Sequence, residues 1–164
     1  MGNRMKKMLA IALSVMCMVA FSFTGVFAAG SPEEAQPVQN DTSSKPVSEY
    51  NTHTNKTADL VGMSNKTLKT KVIYQTVTVK GVKYKVVSVK AGAFSGCKKL
   101  KTIKIKNKNL TKFSAKAFKG LKKSQIKKIK VKVTKKMSKK NFKKLKKALK
   151  KAGIKASNIK RVKM

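Results

Sequence analysis

The chain has 164 residues and a formal net charge of +36, with 41 Lys and Arg against five Asp and Glu, one His, two Cys and no Trp. So few carboxylates, imidazoles and thiols leave little for metal ligation or acid–base chemistry, and such an excess of cations attracts polyanions and repels other cations. The charge is also segregated: Glu33, Glu34, Asp41, Glu49 and Asp59 all precede position 60, whereas residues 61–164 hold 36 of the 41 basic residues and no acidic one.

The front reads as an export signal. Arg4, Lys6 and Lys7 precede a nearly unbroken apolar run from Met8 to Phe27, and Val26-Phe27-Ala28 places small residues where a signal peptidase reads. Cleavage after Ala28 is expected. An uncleaved anchor is the alternative, since the run is long enough to span a bilayer. Bulky Met16 before Cys17 argues against a lipoprotein. With no second apolar stretch, the mature chain is expected to be secreted or cell-wall associated, without a transmembrane segment. Cys97 then remains as the one cysteine, so no internal disulfide can form.

Residues 29–69 read as a disordered linker. The part up to residue 60 holds all three prolines (Pro32, Pro37, Pro46) among many Ser, Thr, Asn and Gln, and offers little to bury. His53, the lone histidine, falls there and reads as solvated, without a partner that would make it a metal ligand.

Order is expected from Thr70 to Met164. Residues 72–79 are β-branched and aromatic, Lys80-Gly81 is a turn, and residues 82–86 alternate, which predicts an antiparallel hairpin. Next comes an internal repeat. Val89, Phe94 and Cys97 match Phe113, Phe118 and Leu121; after a two-residue insertion, Leu100, Ile103 and Ile105 match Ile126, Ile129 and Val131. A period near two dozen residues predicts a solenoid, each unit covering its neighbour's apolar edge. The Ile and Val of each strand go inward and the lysines outward. Ala91–Phe94 and Ala115–Phe118 suit short helical turns, with Phe94 and Phe118 stacked in the core and Cys97 a small buried filler. Ser138 is an N-cap for a helix whose apolar stripe is Phe142, Leu145, Leu149 and Ala152 and which ends at Gly153. Its lysines repel at i,i+4, so packing on the last repeat must hold it; a cationic membrane-active helix is the other reading. Ile159 and Val162 suggest a short closing strand.

The Ala-Phe pair, the short gap, the Cys, the Leu and the alternating strand of Ala93, Phe94, Cys97, Leu100, Ile103 and Ile105, repeated as Ala117, Phe118, Leu121, Ile126, Ile129 and Val131, resemble the BspA-like leucine-rich repeats of secreted and surface bacterial proteins. With the N-terminal β-hairpin and the helix at 138–153 read above, the expected fold is α/β: a short leucine-rich-repeat solenoid with an N-terminal β-hairpin and a C-terminal capping helix, the helix also resembling the family's usual ending. The resemblance also implies a role in adhesion.

Two functions are carried forward. In the first, a secreted or surface adhesion protein binds an anionic polymer of the cell wall, such as teichoic acid, or of a host surface, through a lysine-covered face that includes Lys104, Lys106, Lys130 and Lys132. In-register strands are expected to set Lys104 beside Lys130 and Lys106 beside Lys132, about 4.8 Å apart, where like charges strain the ladder unless an anion relieves them. In the second, a soluble cationic effector binds nucleic acid or anionic membranes. Only Arg4 and Arg161 are Arg. Lysine is a hydrated point charge poor at bidentate recognition, so any nucleic-acid binding would be non-specific. A protein receptor is a further partner class. No catalytic residue, metal site or cofactor is expected from a folded part read as lacking Asp, Glu and His.

Overall fold

A computed structural model describes residues 36–38, as backbone alone, and residues 48–164. The expected signal peptide and its cleavage site lie outside the described residues. In chain order the elements are β1 (Gln36–Val38), β2 (Ser48–Thr52), β3 (Thr57–Gly62), β4 (Thr70–Ile73), β5 (Thr76–Val79), β6 (Val82–Val89), β7 (Thr102–Ile105), β8 (Lys112–Phe113), α1 (Lys123–Lys128), β9 (Lys130–Thr134), α2 (Lys139–Lys151), a 3₁₀ turn (Ala156–Asn158) and β10 (Ile159–Val162).

The chain alternates between two sheets. In the four-stranded sheet β4, β7, β9 and β10 are all parallel, in that spatial order. In the six-stranded sheet β3, β6 and β8 form a second parallel ladder, and β1, β2 and β5 add antiparallel partners. Strands buried on one face against each other favour Ile and Val inside. Accordingly Lys71, Ile103, Val131 and Ile159 form one inward row of the four-stranded sheet and Ile73, Ile105, Val133 and Arg161 the next. Both rows end on a cation. Lys71 is buried and its ammonium donates to Ser48 Oγ on β2. Arg161 donates through Nη2 to the carbonyls of Lys135 (2.8 Å) and Met137 (2.5 Å) and lies 5.5 Å from the Phe142 ring centre.

Three expectations are corrected. First, order begins before Thr70. Within the region read as a disordered linker, β2 and β3 pair as strands, and Tyr50, Ala58, Leu60 and Met63 are buried in the core. The inward positions of β2 are Ser48, Tyr50 and Thr52. Small polar residues that pair inside a sheet leave no apolar signature. Second, residues 72–79 are not one strand. The chain breaks at Tyr74-Gln75, so β4 joins one sheet and β5 the other. β5 and β6 then pair antiparallel around Lys80-Gly81, with φ of 47° and 79° at the two turn residues, as a two-residue hairpin turn requires. Third, the matched strands differ in register. Phe94 to Phe118 is an offset of 24 residues, but Thr102 pairs with Lys130, an offset of 28. The extra four residues, not two, are absorbed by α1, about one helical turn. Ile103 therefore pairs with Val131 and Ile105 with Val133. A slip of two residues keeps inward and outward faces unchanged.

The connections between ladders carry the repeat's marker residues. Phe94 and Phe118 are buried, with ring centres 5.2 Å apart and planes at 21°, and Phe113 stands 6.1 and 5.9 Å from them. Their turns bond to one another: Gly92 N–H donates to the Lys116 carbonyl and Phe94 N–H to that of Ala117, both at 2.9 Å. These segments are successive i,i+3 turns rather than helices. Cys97 lies buried beneath the first of them, and burial pushes its thiol up, partly opposed by nearby Lys66.

At the corner after β7, fully buried Asn107 donates from Nδ2 to the Val86 carbonyl (2.7 Å) and accepts at Oδ1 from Asn109 N–H (2.9 Å). Asn107→Ala strands both backbone groups and should cost about 1–3 kcal/mol, read as a lower urea midpoint at unchanged slope. An unchanged midpoint would show that water replaces the side chain. Further on, α2 begins at Ser138, whose Oγ accepts from Asn141 N–H (3.2 Å), buries Leu145 and Leu149, and lies against β8.

Candidate binding surfaces

The four-stranded sheet has one lysine-bearing outer face. Lys104 on β7, Lys132 on β9 and Lys160 on β10 occupy one cross-strand row, with Val72 of β4 at its end. The expected neighbour of Lys104 was Lys130; the register makes it Lys132, because α1 takes up the additional two residues. Lys130 pairs instead with Thr102. Lys106 follows β7, its Nζ 5.4 Å from the centre of the Tyr74 ring, a cation–π distance. Lys104, Lys106 and Lys132 line one hollow of about 390 Å³ together with Lys163. Lys130 and Lys132 line another, of about 300 Å³, with Lys160. The four lysines thus share a face, but not the pairing read from the sequence. Lys160 joins the row, and its place there depends on a strand whose register the repeat alone does not give.

A second surface lies on the other ladder. A groove of about 1050 Å³ runs between the outer side of β3, β6 and β8 and helix α2. At one end stands a polar cluster that corrects two readings. His53 is not a free solvated side chain: its Nε2 lies 3.0 Å from Asp59 Oδ2. With β2 and β3 ordered, the folded part also holds Glu49, Asp59 and His53, so it is not devoid of acids and imidazole. Lys90 Nζ is 3.0 Å from the same Asp59 oxygen, and Ser88 Oγ donates to Asp59 Oδ1. Burial pushes Asp59 up, but the hydrogen bonds from Ser88, Lys90 and His53, with the Lys90 charge, outweigh it and hold the carboxyl below its ordinary value.

The cluster brings an imidazole, an ammonium and a hydroxyl onto one buried carboxylate. Ser88 donates its hydroxyl hydrogen bond to Asp59 Oδ1 rather than to His53, whose ring bonds Oδ2 of the same carboxylate. Among the described residues no group of three His, Cys, Asp or Glu could hold a metal ion, and no helix is long and apolar enough to cross a membrane.

Because the Asp59 carboxyl is depressed in the folded state, its stabilisation is present above the unfolded value of about 3.9 and is lost as pH falls below that toward the lower folded value. Asp59→Asn should cost about 1–3 kcal/mol at neutral pH. The difference between parent and variant should shrink on acidification below about pH 4 in urea melts. A difference independent of pH would mean that the ion pairs contribute nothing.

Two ladders of parallel rungs, joined by turns that stack matched phenylalanines, define a repeat protein. Residues 66–162, more than half of the chain, match the family described as BspA type leucine-rich repeat region (6 copies), and the chain belongs to that family. Neither the curated proteins nor the solved structures compared with it give a match.

Proposed function

We propose that this is a secreted or cell-surface adhesion module, without catalytic chemistry, that binds an anionic polymer through the outer face of its four-stranded sheet. The two ladders are read as the walls of a short solenoid, with the β5–β6 hairpin as an addition to its front half and α2 as the cap of its last unit. The observation that carries the binding reading is the cross-strand row Lys104, Lys132, Lys160, flanked by Lys106 and Lys130, in a segment with no acid after Asp59. Rows of like charge on strands about 4.8 Å apart are held against their own repulsion. A polyanion turns that repulsion into attraction. Lysine suits diffuse contact with phosphate or sulfate rather than reading of bases, and an envelope polymer such as teichoic acid supplies such charges in quantity. BspA-type repeats are commonly surface or secreted in bacteria, which supports the location.

The test compares teichoic acid, heparin, DNA and anionic vesicles at matched salt, together with fractionation of the producing cell. Retention on the wall and tightest binding to teichoic acid are the expected results. Preference for DNA or vesicles, with the protein free in the medium, would favour a soluble cationic effector instead.

A further inference from the structure

The groove on the opposite ladder shares no lysine with the sheet face and asks for a different occupant. Lys90, Lys112, Lys144, Lys147 and Lys151 line it, and Asp59 is the one carboxylate among its lining residues. Asp59 is already occupied by Lys90, His53 and Ser88. Lys112, Lys144, Lys147 and Lys151 therefore surround the groove with no carboxylate there to neutralise them. Three of these come from α2 at spacings of three and four residues, one helical stripe turned toward the sheet. The remaining lining is mixed. Val87, one of two exposed large apolar side chains among the described residues, lies on β6, and Ala148 of α2 also lines the groove. Thr54, Asn55, Thr57, Thr111 and Ser114 add hydroxyl and amide groups. No exposed Phe, Tyr or Trp lines it: Phe113 is buried beside Phe94 and Phe118, and the part-exposed His53 ring is tied to Asp59.

We infer that this groove is a binding site for a short anionic oligosaccharide, separate from the flat lysine face and going beyond the polymer-coating role proposed for it. Each feature selects against another class. The groove is open along its length and its volume of about 1050 Å³ lies just above that of small-molecule sites, which favours a short chain lying along it over a compact ligand. Single-stranded nucleic acid takes its affinity from bases stacked on successive aromatic platforms, and the groove offers only the one imidazole of His53, already tied to Asp59. A sugar chain uses what is present: its C–H faces pack on Val87 and Ala148, its hydroxyls pair with Thr, Ser and Asn, and its sulfate, phosphate or carboxylate groups meet the four lysines. The His53–Asp59–Lys90 contacts tie the loop after β2 to β3 and to the residue that follows β6, so this wall of the groove is fixed before binding.

The probe is a heparin-derived hexasaccharide, with maltohexaose as a neutral arm and a single-stranded oligonucleotide of matched charge as a third. Saturable one-to-one binding of the hexasaccharide by calorimetry is expected, with the neutral sugar silent and the oligonucleotide weaker. Exposed charge contacts are each worth a factor of roughly two to five, so K112Q/K144Q/K147Q/K151Q should weaken the hexasaccharide on the order of 10²-fold. The corresponding four-fold Lys→Arg variant should retain it, which separates lost charge from lost fold. K104Q/K132Q/K160Q should leave hexasaccharide affinity within about twofold while reducing binding of long polymers, so the two surfaces fail separately. The inference is overturned if the groove variant binds the hexasaccharide like the parent, if the sheet-face variant loses it equally, or if the oligonucleotide binds as tightly with the same sensitivity to the groove lysines.

Discussion

Phe118→Ala and Phe94→Ala should each lower the unfolding free energy by about 3–5 kcal/mol, the cost of deleting a buried aromatic side chain and leaving a cavity. A domain of this size has about 5–15 kcal/mol in all, so either variant should be largely unfolded at moderate urea and melt many degrees below the parent. The structural reason is more than burial. Phe94 is fully buried and Phe118 nearly so, and their rings stack at 5.2 Å within a cluster completed by Phe113. The turns carrying them bond through Gly92 to Lys116 and Phe94 to Ala117. Losing one ring loosens its own turn and the neighbouring one. The double variant should therefore cost less than the sum of the singles, by roughly 0.5–1.5 kcal/mol for the lost ring–ring term. Strict additivity would show that the rings fill space without interacting. A Phe118→Ala protein that melts like the parent yet fails to bind would make Phe118 a ligand platform instead.

The legible parts of this fold are those where one local signal acts alone. Phe94 and Phe118 recur at a fixed offset in an otherwise lysine-rich background, and nothing but a shared core position explains that. Ser138, the Leu145/Leu149 stripe and Gly153 give a helix whose two ends are each marked by their own chemistry. The parts that escaped are those where composition and pairing disagree. β2 reads SEYNT and turns Ser48 and Thr52 inward to full burial; a rule that equates polarity with disorder cannot see them. Tyr74-Gln75 divides one β-branched run between two sheets because the chain turns a corner there, and propensity is blind to corners. The register error has the same origin. A helical turn inserted between Leu121 and Ile129 shifts the downstream strand by two residues relative to the sequence match, and the period-two pattern of Ile and Lys is indifferent to such a shift. The lysine face was readable for the same reason, since parity survived while the neighbours changed. The second groove was not readable at all. Lys90 and Lys112 lie on one ladder and Lys144, Lys147 and Lys151 on the helix packed against it, and only tertiary packing brings them to one cavity.

Replacing Lys104, Lys106, Lys130 and Lys132 together by Gln should flatten the salt dependence of polyanion binding more than it changes anything else. Each lysine that displaces a condensed counterion contributes about 0.7–0.9 to the slope of log affinity against log salt for a nucleic acid. Four such contacts amount to a slope of about three. Between 50 and 200 mM salt the parent should then lose on the order of 10²-fold in affinity through this face alone, and the variant should not lose that share. Because the contacts are point charges without bidentate geometry, teichoic acid and DNA should weaken by similar factors, and heparin by less, since the groove still takes its short segments. Thermal stability moves in the opposite direction. Lys104 and Lys132 are direct cross-strand partners, so neutralising them removes a like-charge penalty of about 0.2–1 kcal/mol at low salt. That gain should disappear above a few hundred millimolar salt, where the Debye length falls to a few Å. The choice of positions allows an internal control. Lys130 pairs with Thr102 rather than with a lysine of β7, so Lys130→Gln alone should reduce the salt slope without raising the melting temperature as Lys132→Gln does. Affinity that ignores salt, or an uncharged glycan or protein receptor bound equally well by the four-fold variant, would leave these lysines as a solubility coat and refute the assignment of this face.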